Sequence, residues 1–119
     1  MLKGGNVTVF VSDMSKAVAF YEGVLGFKLA ARYGDHWAQV EAGSGLTIGL
    51  HPKSPNHPAP GTLGAMMIGV ECTESIDKEV RRLEGLGVKF KRSAEGEGGR
   101  FTYFSDPDGN PLYLRAAGR

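Results

Sequence analysis

The chain has 119 residues, with 14 Lys and Arg against 13 Asp and Glu, and a single cysteine. That length suits one compact protein with its own core, and the near-neutral balance gives no drive toward nucleic acid or an acidic membrane surface. Cys72, alone and in an apolar run, excludes an internal disulfide and reads as a small buried hydrophobe. The opening MLKGGNVTVF is too poor in apolar residues for a signal peptide, and no stretch approaches membrane-spanning length, so a cytoplasmic protein is expected. The short basic runs Arg81-Arg82 and Lys89 to Arg92 read as solvated surface.

Asn6 to Val11 alternates, with Val7, Val9 and Val11 on one side and Asn6, Thr8 and Phe10 on the other, the pattern of a strand with one buried face. Ser12 and Asp13 suit a helix N-cap, and Met14, Ala17, Val18, Tyr21 and Leu25 follow at helical spacing as far as Gly23 or Gly26. Phe27 to Ala31, Trp37 to Ala42 and Leu46 to His51 read as three strands, the last two joined by Gly43-Ser44-Gly45. Pro52, Pro55, Pro58 and Pro60 then resist both helix and sheet and predict a stiff connection over 52–64.

Beyond it the pattern returns. Met66 to Cys72 is an apolar strand, and Ile76, Val80 and Leu83 mark a helix starting near Thr73. Gly87-Val88-Lys89-Phe90 echoes Gly26-Phe27-Lys28-Leu29, 61 positions later. Phe101 to Phe104 and Leu112 to Arg115 echo Trp37 to Val40 and Ile48 to His51. Between the last two lies Asp106-Pro107-Asp108-Gly109-Asn110, a strong turn: Pro107 presets φ for its second position, and Gly109 and Asn110 tolerate left-handed backbone. The expectation is an α+β protein of two βαβββ modules, 1–51 and 65–119, forming a curved mixed sheet with a concave cavity.

By strand parity, Val7, Val9, Val11, Ile48, Leu50, Ile68, Val70, Leu112 and Leu114 face the core. The opposite parity gathers Phe10, Trp37, Gln39, His51, Met67, Glu71, Phe101, Tyr103, Tyr113 and Arg115. Rings with a few polar groups are the profile of a small-molecule site, and those residues are the candidate ligand-binding set. His36 and His57, in apparent loops, read as surface residues. Cys72 falls on core parity and no nucleophile-elbow pattern is present. The glycines at 43–45 and 96–99 open no helix, so they are not phosphate loops. The 96–99 run reads as a loop at the cavity edge that could serve as a lid.

Three stretches, Val7 to Phe27, Met67 to Val88 and FSDPDGNPLYL from Phe104 to Leu114, resemble the vicinal oxygen chelate superfamily of glyoxalase I, extradiol dioxygenases, and fosfomycin- and bleomycin-resistance proteins. The resemblance implies paired modules. In the superfamily's enzymes these hold one divalent metal, with ligands at the start of each module's first strand and on each module's last strand. Those places fall on Asn6, Met67, Gly49 and Tyr113, none of which replaces His or Glu toward a hard cation. His51 and Glu71, further along the strands that carry Gly49 and Met67, are the weak candidates for relocated ligands.

The resemblance also implies a homodimer, with cavities built from both chains. It leaves two functions open. One is metal-free binding of an aromatic or amphiphilic small molecule, without a cofactor, as in the bleomycin-resistance proteins. The other is a divalent-metal-dependent lyase, isomerase, dioxygenase or transferase. Metal-free acid–base chemistry by Glu71, Tyr103 or Tyr113 and a purely structural dimer module are further readings, the latter because the rings could equally pack module against module.

Overall fold

The computed structural model describes residues 5–64, 66–96 and 99–116. The chain divides into two compact units, Met1–Thr62 and Leu63–Arg119, so the proline-rich segment after the fourth strand belongs to the first. Each unit carries one four-stranded mixed sheet and one helical crossover, the βαβββ arrangement of an α+β protein.

In the first unit, β1 (Val7–Val11) leads into α1 (Met14–Val18), followed by β2 (Lys28–Tyr33), β3 (Trp37–Ala42) and β4 (Leu46–Pro52). The sheet order is β1-β4-β3-β2, with β1 parallel to β4 and the other neighbours antiparallel. A parallel neighbour requires a crossover, and the helical segment provides it. Asp13 caps α1, its side chain accepting from the Lys16 amide at 3.0 Å.

The helix expected to run on to Leu25 instead widens after Val18 into a π-helical stretch, Ala19–Val24. There the Leu25 amide donates to the Phe20 carbonyl at 2.9 Å and the Phe27 amide to the Tyr21 carbonyl at 3.0 Å. This turn sets Tyr21, fully buried, beside Phe27, with ring centroids 6.1 Å apart. Gly26 ends it at φ 80°, a backbone state that only glycine adopts without strain.

In the second unit, β5 (Ile68–Glu71) precedes α2 (Ile76–Gly85), then β6 (Ser93–Gly96), β7 (Gly99–Ser105) and β8 (Pro111–Ala116), ordered β5-β8-β7-β6. The helix begins three residues after the expected Thr73, because Ser75 is its cap and accepts from the Lys78 amide at 3.3 Å. The echo at 87–90 is not a strand. Val88 is buried and Phe90 packs its ring 5.4 Å from that of Phe104, so the segment is held by side-chain packing, and the regular strand starts at Ser93. Just before it, the Lys91 amide donates to the Tyr103 carbonyl and the Tyr103 amide to the Arg92 carbonyl. Gly96 and Gly99, expected in a loop, are strand partners and the last pair of the β6–β7 ladder, while 97–98 lie outside the described residues.

Each sheet buries the face its helix covers. Val9, Val11, Ala38, Val40, Ile48 and Leu50 join Met14, Ala17, Val18 and Tyr21 in the first unit, and Phe104, Leu112 and Leu114 join Ile76 and Leu83 in the second. Val7, Ile68 and Val70 share that parity but stay half-buried.

The turn between β7 and β8 is organised by Asp106, 5% exposed. One carboxylate oxygen accepts from the amides of Asp108 (3.0 Å) and Asn110 (2.9 Å), and the other from the Asn110 side-chain amide (2.8 Å). Gly109 takes φ 89° to close it.

Candidate functional site

The ladder fixes which side chains meet on the face away from each helix. In the first unit Phe10 is the cross-strand partner of His51, Thr8 of Gly49, Gly49 of Gln39, and Trp37 of Tyr33. Phe10, Trp37, Gln39 and His51 therefore share one face and are all half-buried. The His51 ring stands edge-on to both Phe10 (5.3 Å, 64°) and Trp37 (6.4 Å, 76°). Its Nδ1 lies 2.7 Å from the Pro52 carbonyl; since a carbonyl only accepts, Nδ1 is the nitrogen that carries the proton in this contact.

Trp37 reaches across the sheet and lies over Gly49. A Cβ on Gly49 would stand 2.1 Å from the indole Cη2 and 2.6 Å from Cζ2, inside the ring's own van der Waals envelope. The second unit repeats the device on a different strand. The Tyr113 ring covers Gly69, whose Cβ would meet Cζ at 2.1 Å and the hydroxyl oxygen at 2.4 Å.

Phe101 and Tyr103 flank Tyr113 with ring centroids 5.7 and 6.0 Å away. Beside them Arg115, the cross-strand partner of Glu71, donates through one guanidinium nitrogen to both carboxylate oxygens, at 2.7 and 2.9 Å. Met67 precedes β5 and is 46% exposed.

Two residues of these faces were not legible in the sequence. His57, expected to be a partnerless surface residue, stacks on Phe10 at 4.4 Å with the planes 23° apart, and its ring lies 6.0 Å from that of His51. Arg92, within a basic run that reads as solvated surface, places its guanidinium 4.0 Å from the centre of the Tyr103 ring, a cation–π contact. Neither contact has a sequence period. Both join a loop residue to a ring on a strand, and a composition of prolines or lysines gives no sign of it.

A metal centre of the kind the sequence resemblance implies does not fit these side chains. Gly49 has no side chain, and the space where one would begin is filled by indole. The Tyr113 ring fills the place a side chain on Gly69 would take. The Asn6 side-chain oxygen, a weak donor to any cation, accepts from the Thr8 hydroxyl at 3.3 Å, and a Met67 thioether suits only soft ions. Of the relocated candidates, Glu71 has both oxygens on Arg115, and His51 turns one nitrogen to the backbone. Among the described residues, no three of His, Cys, Asp and Glu gather as a metal-binding cluster. Burial, helped by the Glu79 and Glu71 carboxylates, pushes the Cys72 thiol above its usual range, which disfavours the thiolate a nucleophile needs.

The family model of the glyoxalase/bleomycin resistance protein/dioxygenase superfamily matches residues 5–114. The chain belongs to this superfamily. It is 31% identical to glutathione transferase FosA of Serratia marcescens, over 92% of this chain and 77% of that protein. It is 30% identical to the uncharacterised protein YaeR of Escherichia coli K12, over 92% of each. Among solved structures, it resembles TnmS3, an antibiotic binding protein from Streptomyces sp. CB03234, with a TM-score of 0.78 and 33% identity over 99% of this chain and 100% of that one. A second superfamily protein from the same Streptomyces strain gives a TM-score of 0.73 and 35% identity over 93% of this chain and 99% of its own. Superfamily membership thus rests on sequence and fold together. No helix among the described residues is long and apolar enough to cross a membrane.

Proposed function

We propose that this protein binds an aromatic or amphiphilic small molecule on its ring-lined sheet faces, without a metal ion, as a cytoplasmic homodimer. The observation that carries the reading is the indole of Trp37 occupying the place where a ligating side chain at position 49 would begin. Rings stand where a metal-dependent relative needs carboxylate or imidazole. Each face offers apolar area for stacking on a flat ligand, with Gln39 and His51 as the polar groups of the first unit's face and Glu71 and Arg115 as those of the second's. The likeness to an antibiotic binding protein at 33% identity supports the same reading. The likeness to a glutathione transferase speaks for an enzyme; the competing reading is a divalent-metal-dependent lyase, isomerase, dioxygenase or transferase with relocated ligands that include His51.

Two measurements separate them. Elemental analysis of freshly purified protein is expected to find Zn, Fe, Mn and Ni well below one ion per chain. Titration with aromatic antibiotics and metabolites is expected to change the fluorescence of Trp37, the single tryptophan. A stoichiometric ion that is lost in His51→Ala overturns the binding reading in favour of the enzyme. Trp37 emission unmoved by every compound in the panel shows that the rings serve as packing rather than as a ligand site.

A further inference from the structure

The proline-rich segment after β4 brings a side chain back onto the sheet. Lys53 donates its amide to the Val11 carbonyl at 2.9 Å, which fixes where the segment leaves β1. Ser54 then shapes the next turn, its carbonyl accepting from the His57 amide at 3.2 Å and its hydroxyl from the Asn56 amide at 3.2 Å. The result is the parallel stack of His57 on Phe10, with His51 edge-on to the same phenyl ring. His57 itself is exposed, and a cavity of about 440 Å³ lined by Lys53, Ser54, Pro55, His57, Ala59 and Pro60 opens beside it.

We infer that the Phe10 face is a stacking subsite for a flat aromatic ring bearing a hydroxyl or N–H donor, and that His57 is the chain's own occupant of that subsite. A planar imidazole lying 23° from parallel to a phenyl ring shows that the site accepts a flat ring of that size. At a separation of 4.4 Å there is no room for a second ring between the two, so a ligand takes the place of His57 rather than sliding beneath it. The donor requirement comes from His51. With Nδ1–H committed to the Pro52 carbonyl, the uncharged tautomer of the ring leaves Nε2 as an acceptor. The stack sits at a solvent-exposed residue, so its replacement by a ligand ring exchanges one aromatic contact for another. The inference rests on the binding reading above and adds to it where on the first unit the ring sits, what it must carry and what it displaces.

The test is an NMR titration with 2-naphthol, followed at the Trp37 indole N–H and the His57 ring C–H signals, in the wild-type chain and in His57→Ala. The expected result is that both wild-type signals move along one binding curve, with the His57 signals leaving their ring-shifted positions for those of a free histidine. His57→Ala is expected to bind 2-naphthol about threefold to tenfold more tightly, the scale set by a single aromatic pair. 2-Methoxynaphthalene, which lacks the donor, is expected to bind more weakly to both proteins. If Trp37 responds while His57 stays stacked and the alanine variant binds with unchanged affinity, the inference is overturned and the binding reading stands. Weaker binding by His57→Ala makes the imidazole a covering contact and also overturns it. Equal binding of the methoxy compound removes the donor requirement. No response of either signal to the naphthol or to the aromatic panel removes both readings.

Discussion

The bare α-carbon of Gly49 is what lets an indole reach over this strand. A methyl there overlaps the outer edge of the Trp37 ring rather than backbone, so the ring can swing away at moderate cost. Gly49→Ala is therefore expected to lose only about 1 kcal/mol, the low end for overpacking, by denaturant midpoint, while the Trp37 emission shifts and affinity for aromatic ligands falls. Asp106 is the opposite kind of residue. Its buried carboxylate holds two backbone amides and one side-chain amide of its own turn. Asp106→Ala leaves these donors without their partner and is expected to cost about 2–3 kcal/mol in the same measurement, since hydrogen bonds to a charged group are the stronger kind.

At the level of elements, the strands were legible because alternation survives folding. The parity that puts Phe10, Trp37 and His51 on one face and Val9, Val40 and Ile48 on the other follows from the pleat alone, and the observed register keeps it. Three things were not legible, each because side-chain packing rather than residue type decided it. The π-helical stretch has the same apolar residues as an α-helix; only the docking of Tyr21 and Phe27 into one core selects the wider turn. The segment at 87–90 has a strand's composition but is held by Phe90 on Phe104. His57 and Arg92 come from loops, where residue type carries no direction.

One link between elements has a pH signature. Arg100 on β7 donates to Asp77 in the first turn of α2 at 3.0 Å, and this bond, with the guanidinium charge, holds the Asp77 carboxyl below its usual range. A depressed carboxylate pKa adds stability above the ordinary aspartate range and loses it as pH falls through the lower folded value. Both side chains are solvent-exposed, so the contribution is small and weakens with salt. Arg100→Gln is expected to return the Asp77 carboxyl upward to the ordinary range, read directly by carboxyl NMR titration.

For the molecule as a whole, the second unit presents Leu63, Met66 and Met67 with 69%, 70% and 46% of their surface exposed, immediately before the edge strand β5. Apolar side chains grouped in this way are a surface that association would cover. Sedimentation equilibrium is expected to return twice the chain mass, and Met66→Glu to return the single-chain mass with the far-ultraviolet circular dichroism unchanged. A wild-type chain that sediments as a monomer removes the homodimer from the proposal.

The indole resting on Gly49 also sets an order of operations for anyone rebuilding an ion-holding protein on this scaffold. An acidic residue installed at 49 while Trp37 is intact collides with a ring; the same residue installed after Trp37 has been trimmed escapes that collision. The two substitutions are thus coupled, and their combined effect on stability departs from the sum of the separate ones. The second unit carries the same arrangement at Gly69 and Tyr113, so clearing one sheet leaves the other still roofed.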